Sequence, residues 1–369
     1  MFRYQTVRLN NGRRFDWEKG NTMSDRQWMI CPCAAIGLAA AAVLLTGCSP
    51  GMNGNGGASA DSYMAEAARE ETARKSDPAW KPQSEEVSVI RVGAKGKGGT
   101  LQNFCLHTNG NILACWDPQT QRPLASPATK GEIRVFNPDG TAVETWPLPL
   151  VPEAICAHPD GSIFVAGKGR LAKLDAAGKV LAEAALPGAQ TAARQVVTGL
   201  AVSGSDLFVA CPSPSDFTYV VLRLDSNLKE PVQIIKGLRG CCGQMDIQAR
   251  DGTLWVAHNA KHRVESYTRD GKPGASFGKY DRAAADGFGG CCEPKNLRLA
   301  SDGNIYAAES GPPVTIKRFS TAGKFLGLAA LPKFASSCVR VSVEVSPDCK
   351  RYYILSTDEN SIHVMAANP

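Results

Sequence analysis

The residues with the clearest chemical potential are two pairs of adjacent cysteines. Cys241 and Cys242 lie at the head of GCCGQMDIQARDGTLWVAH (Gly240–His258), and Cys291 and Cys292 at the head of GCCEPKNLRLASDGNIYAAE (Gly290–Glu309). In both copies an Asp-Gly turn follows and leads into an aromatic and aliphatic run. Thiols in this number support three chemistries. They form disulfides where the compartment is oxidising, they hold soft metal ions or clusters as thiolates, or they exchange with other thiols when one is exposed and has a depressed pKa. Adjacent cysteines seldom bond to each other, because the ring is strained, so a disulfide would have to reach another part of the chain. Met245, close to Cys242, adds a thioether that suits copper. The chain has no CxxC pair, so neither a zinc ribbon nor a covalent c-type haem is indicated.

The elements that must position these thiols come from a repeat. Six times the chain gives a short apolar strand, a turn, and a second strand with an aromatic or aliphatic centre: NILAC, SIFVA, DLFVA, TLWVA, NIYAA and RYYIL. A third strand follows each, and after the first five a fourth can be traced. With the turns at Gly110, Gly161, Ser205, Gly252, Gly303 and Cys349, the spacings are 51, 44, 47, 51 and 46 residues. Four antiparallel strands per repeat of this length specify an all-β fold, a six-bladed β-propeller over residues 86–369, in which each blade buries its faces only against its neighbours. The last blade lacks a fourth strand, and VSVIRV (Val87–Val92) is unclaimed at the start. It is expected to complete blade six and close the ring, which removes the exposed sheet edges.

Aligning the blades on their first strands puts Cys241 with Cys291 and Cys242 with Cys292, while in blade six Ser337 and Cys338 take the same two places. Cys241, Cys242, Cys291, Cys292 and Cys338 are thus expected to meet near the propeller axis. Inter-blade disulfides, a thiolate-bound metal (copper, zinc or iron–sulfur) and a redox thiol remain open for them. Weaker candidates are Cys105 and Cys156, each two residues before a histidine (His107, His158), and the pair His258 and Glu309, which end second strands in matching positions. Cys115, Cys211 and Cys349 are read as packing residues or disulfide partners. The chain has no GxSxG elbow, HExxH helix or phosphate-binding glycine loop.

The repeat wording resembles the NHL family. DGTLWVAHNAKHRVESYTRDGK is similar to the family's pattern of Asp-Gly, aromatic strand, Asn-His-Arg and Asp-Gly-Lys, and DGNIYAAESGPPVTIKRFSTAGK is a looser copy. The resemblance implies the propeller fold. As NHL-type propellers include scaffolds, RNA binders and lyases, it implies no single activity. Lyases and lactonase propellers of this kind hold an axial divalent metal on histidine or carboxylate ligands, and the resemblance implies His258 and Glu309 as the candidates for them.

The N-terminus speaks about compartment. AAIGLAAAAVLLTGC (Ala34–Cys48) is an apolar run of roughly twelve residues, shorter than the about 20 that span a bilayer and as long as a signal-peptide core. Its end, Leu45-Thr46-Gly47-Cys48, resembles a bacterial lipobox, which implies that residues 1–47 are a lipoprotein signal peptide and that Cys48 carries lipid. Residues 48–85 then read as a lipid-anchored linker, Gly- and Asn-rich at first, with a short helix in Asp61–Trp80. The expected location is extracytoplasmic, with the protein held at a bacterial membrane facing the periplasm or cell surface. Of 13 cysteines, Cys31 and Cys33 leave with the signal and Cys48 is lipidated, which leaves an even ten in the mature domain.

Residues 1–47 hold six Lys/Arg and three Asp/Glu, so half of the net +6 leaves with them, and no basic run supports nucleic-acid binding. The function expected first is a binding or assembly scaffold, not an enzyme, with a protein or small-molecule partner on one propeller face. The insertions Pro118–Lys130 and Lys279–Gly290 are where specificity would lie. The alternatives are a thiolate metal or redox protein and an axial-metal lyase or lactonase.

Overall fold

Each blade begins with a reversal that glycine makes cheap, since it takes a left-handed backbone that side chains resist. Gly110, Gly161, Gly252 and Gly303 have φ of 89°, 89°, 72° and 79°. In blade three the left-handed residue is Gly204 (φ 57°), one place before the expected Ser205. In blade six Cys349 fills the glycine position at φ 57°. The computed structural model describes residues 60–96, 98–119, 130–188, 196–334, 336 and 338–369. The segment 1–47, Cys48, most of the Pro118–Lys130 insertion and Ser337 lie outside the described residues.

The reversals give six four-stranded antiparallel sheets. The innermost strands are Thr100–Leu106, Ala154–Ala157, Gly199–Ser203, Ile247–Arg250, Asn296–Leu299 and Val343–Val345. In blades one to five the strands follow chain order. In blade six the outermost strand is the N-terminal Ser84–Arg91, which pairs with Ser361–Ala367. Burial follows position. The second strands Ile163–Gly167 and Ile305–Glu309 are buried throughout, whereas the outermost strands Val180–Ala185 and Pro273–Phe277 are largely exposed. The core is accordingly divided among the six seams between blades, each filled by its own apolar cluster.

Polar bonds also close the ring. Asn103 donates from Nδ2 to the Glu153 carbonyl (3.5 Å), and the Glu153 carboxylate accepts from Val197 N (3.1 Å). Thr198 donates to the Met245 carbonyl (2.7 Å), and Asp246 accepts from Leu297 N (2.8 Å). Asn296 accepts from Val341 N (3.0 Å), and Ser342 donates back to Asn103 Oδ1 (2.7 Å). These residues recur at blade spacing just before or at the innermost strands, so a side-chain hydrogen bond links each blade to the next around the axis. At the turns, His107 donates from Nε2 to the Gly161 carbonyl (3.3 Å) and His158 to that of Gly204 (3.1 Å), each reaching the next blade.

The chain before blade one is also built into the fold. A helix spans Ala60–Ser76, and a single 3-10 turn, Pro78–Trp80, follows. Trp80 is buried against Ala285 and Leu328 and donates from Nε1 to the Ala283 carbonyl (2.8 Å). Packing thus begins ahead of Glu86, and the chain's own N-terminal segment contacts the Lys279–Gly290 insertion at Arg282, Ala283 and Ala285. Among the described residues no helix is long and apolar enough to cross a membrane.

Candidate metal centre

The vicinal pairs sit where the chain passes from the outermost strand of one blade to the innermost strand of the next. In blade four, Gly240–Gln244 forms a tight turn in which Gln244 N donates to the Cys241 carbonyl (3.2 Å). Fully buried Asn259 grips this turn, accepting from Cys241 N (3.0 Å) and donating to the Gln244 carbonyl (2.9 Å). Cys242 is left-handed (φ 54°), and so is Cys338 in blade six (φ 59°). For a residue with a Cβ this conformation costs about 1–2 kcal/mol, and such strain gathers at functional sites.

The structure brings Cys241, Cys242, Cys291, Cys292 and Cys338 together. Cys242 Sγ lies 3.2 Å from Cys338 and 3.3 Å from Cys292, and Cys292 lies 3.6 Å from Cys338. Cys241 is 3.6 Å from Cys242, and Cys291 is 3.2 Å from Cys292 and 3.8 Å from Cys338. The ligand atoms of Cys241, Cys242, Cys291 and Cys292 all fall within 4.8 Å of one another. All ten cysteines of the described residues are free. The shortest sulfur contacts exceed the about 2.05 Å of a disulfide, so among the described residues none of the inter-blade disulfides left open above is formed.

Lys295, which the sequence reading missed, completes the cluster. It is fully buried, and its Nζ lies 2.7 Å from Cys292 Sγ and 3.2 Å from Cys338 Sγ. Burial opposes its charge, but Glu293 and the sulfurs of Cys292, Cys338 and Cys242 outweigh that and raise its pKa. Glu293 is itself buried and pushed up to about 8, mainly by desolvation. Its Oε1 accepts from Ser310 N, Ser310 Oγ and Gly311 N (3.0, 2.7 and 3.2 Å), while Oε2 has no hydrogen-bond partner. Five thiols this close cannot all ionise alone. Donation from Cys242 drives the Cys241 thiol well below the usual range, and the same contact holds Cys242 well above it.

His258 and Glu309 do not converge on a metal, because each is already spent. His258 Nδ1 donates to Glu265 Oε2 (2.7 Å), and Nε2 accepts from Arg239 N (3.1 Å). Glu309 Oε1 accepts from Gly289 N (2.6 Å), and Oε2 accepts from Thr315 Oγ1 (2.6 Å) and pairs with Lys317 Nζ (2.5 Å). The axis itself carries a cation. Buried Arg340 crosses from blade six and donates to the carbonyls of Glu153 (2.5 Å) and Thr198 (2.7 Å) and to Gln244 Oε1 (3.2 Å). A guanidinium in that place opposes a divalent cation.

The remaining candidates are structural. Cys105 and Cys115 are buried in the seam between blades one and two, and burial pushes both thiols up. Burial raises Cys156 to about 12 and Cys211 to about 11. The histidines of the two Cys-x-His pairs make the inter-blade bonds given above. Met245 is fully buried in the seam between blades three and four, packed with Phe208, Tyr219 and Ile247.

A metal bound to thiolates at about 2.3 Å sets tetrahedral sulfurs about 3.8 Å apart, and the observed contacts lie at or just under that distance. Iron–sulfur clusters interpose iron and sulfide between their thiolates and need a wider opening, so the geometry fits a small soft ion shared by the sulfurs.

Fold and site together define a β-propeller with a sulfur-lined mouth. No family model and no curated protein matches the sequence, so the resemblance to NHL repeats has no family match behind it. Solved structures similar to the chain include a gluconolactonase from Xanthomonas campestris, at 12% identity and TM-score 0.52, covering 78% of this chain and 96% of that one. A calcium-binding protein, regucalcin, from Agrobacterium tumefaciens is similar at 12% identity and TM-score 0.50, covering 75% of this chain and 93% of that one. Identity this low shows a shared fold alone.

Proposed function

We propose that the protein is a soft-metal-binding propeller, which takes copper(I) or zinc on the thiolates of Cys241, Cys242, Cys291, Cys292 and Cys338. One observation carries this reading: five sulfurs from three blades form one connected cluster, with a buried ammonium against two of them. Thiolates select these ions, and neither a free imidazole nor a free carboxylate among the nominated residues competes for them. In the same reading, lipid on Cys48 holds the propeller at an extracytoplasmic membrane surface, where it meets the partner that delivers or takes the ion. The lactonase-type reading draws support from the shared propeller fold, but the two residues nominated for it serve other partners.

Metal loading with mapped alkylation tests the proposal. The full chain, purified anaerobically, should retain Cu(I) or Zn(II) against gel filtration. The five cysteines should be protected from alkylation when loaded and reactive once stripped, with Cys211 unchanged. Equal alkylation of the five in both states would overturn the reading.

A further inference from the structure

The five sulfurs are not equivalent. Cys242, Cys292 and Cys338, one from each blade, form a triangle with sides of 3.3, 3.6 and 3.2 Å. Three observations mark this triangle as fixed. Lys295 Nζ bonds two of its corners, at 2.7 and 3.2 Å. Cys242 and Cys338 are held in the left-handed backbone region. Cys292 is the only fully buried thiol of the five. Cys241 and Cys291 carry none of these marks: neither has a left-handed backbone and neither bonds Lys295, while their burial is intermediate, as it is for Cys242 and Cys338. Each directly precedes an inner cysteine, and their short sulfur contacts run to the triangle.

Resting on the reading above, we infer that the inner triangle is a three-coordinate copper(I) site and that Cys241 and Cys291 are its exchange ligands, passing Cu(I) to and from a partner that carries the ion on thiolates. Three sulfurs satisfy Cu(I), whereas zinc in a closed structural site takes four ligands in a tetrahedron. The Lys295 ammonium lies against two corners of the triangle and has no lone pair to offer. The further sulfurs in contact with the triangle are those of Cys241 and Cys291. Exchange then proceeds one bond at a time. A Cu–S bond to Cys241 or Cys291 forms as a bond to the partner's sulfur breaks, and an inner bond forms as the outer one breaks. Each incoming thiol passes its proton to the departing thiolate. Copper stays Cu(I), so no electron is exchanged.

Transfer kinetics separate the two roles. The full chain would be mixed anaerobically with Cu(I)–glutathione, following the rate of copper uptake, and its equilibrium affinity measured against bathocuproine disulfonate. The Cys241→Ser/Cys291→Ser variant is expected to lose less than about tenfold in affinity and at least about tenfold in transfer rate. Removing an inner sulfur is expected to cost more than the about 100-fold that loss of an outer-shell partner brings. Cys242→Gly and Cys338→Gly serve as the inner variants, because they suit the left-handed backbone and keep the fold. Loss of affinity by the outer variant equal to that of the inner ones, or transfer by the outer variant at the wild-type rate, would overturn the division of roles and leave the metal site standing. Failure of the wild-type chain to bind Cu(I) would overturn the copper site, and failure to bind Zn(II) as well would overturn the metal reading beneath it.

Discussion

His258 and Glu309 occupy the same place in successive blades and perform the same task. His258 accepts from the backbone N–H of Arg239, two residues before Cys241, and Glu309 accepts from that of Gly289, two residues before Cys291. Each is oriented by the third strand of its own blade, His258 by Glu265 and Glu309 by Thr315 and Lys317. The residues that follow continue the pattern, with Asn259 holding Cys241 N and Ser310 holding Glu293. The vicinal pairs are therefore placed from behind by the second strands.

His258→Ala is expected to lower metal affinity about 10- to 100-fold, as loss of an outer-shell partner does, while the ligands themselves are unchanged. Competition against a chelator checks the affinity, and the X-ray absorption spectrum of the loaded variant should match the wild type.

The left-handed cysteines set stability against binding. Cys242→Gly and Cys338→Gly should each raise the stability of the metal-free chain by about 1 kcal/mol, because the Cβ penalty is removed. Cys349→Gly, at the turn of blade six, should do the same with no effect on metal uptake. Denaturant midpoints of the three variants give the comparison.

Lys295 is the buried counter-charge of its region. Above about pH 8, where Glu293 is ionised, Lys295→Met should cost about 3–5 kcal/mol by leaving its buried carboxylate uncompensated. Adding Glu293→Gln should recover part of that loss, since the orphaned charge is then gone. Equilibrium unfolding of both single variants and the double variant measures the coupling.

Glu344 lies near the axis, buried, with Arg298 Nη2 3.1 Å away. Burial pushes its carboxyl up to about 7, above the usual carboxylate range. The folded state therefore binds more protons than the unfolded one between about pH 4.5 and 7, and stability contributed by this group is full below that window and lost through it as pH rises. Glu344→Gln should flatten the decline and be the more stable form at pH 8, which unfolding midpoints across pH would show.

Much of this was legible from the repeat. The turn glycines and the aromatic second strands gave six blades, and the unclaimed Val87–Val92 segment announced the closing strand, observed as Ser84–Arg91. Alignment of first strands placed the five cysteines in equivalent positions. What the repeat could not show is what each side chain spends its polar atoms on. His258 and Glu309 matched in position, but their partners come from strands whose register only the folded blade supplies. Lys295 was hidden because Cys-Cys-Glu-Pro-Lys runs straight into an apolar strand, and a lysine there reads as solvated until Cys292 of its own turn and Cys338 of blade six close over it. Met245, adjacent to the pair in sequence, points into a seam because the turn at Gly240–Gln244 reverses the chain.

The most direct test of the central claim is X-ray absorption at the copper edge on the full chain, loaded anaerobically with Cu(I) and freed of excess. The account predicts a first shell of sulfur alone at about 2.3 Å, the length of a metal–thiolate bond. A first shell of nitrogen or oxygen would contradict it.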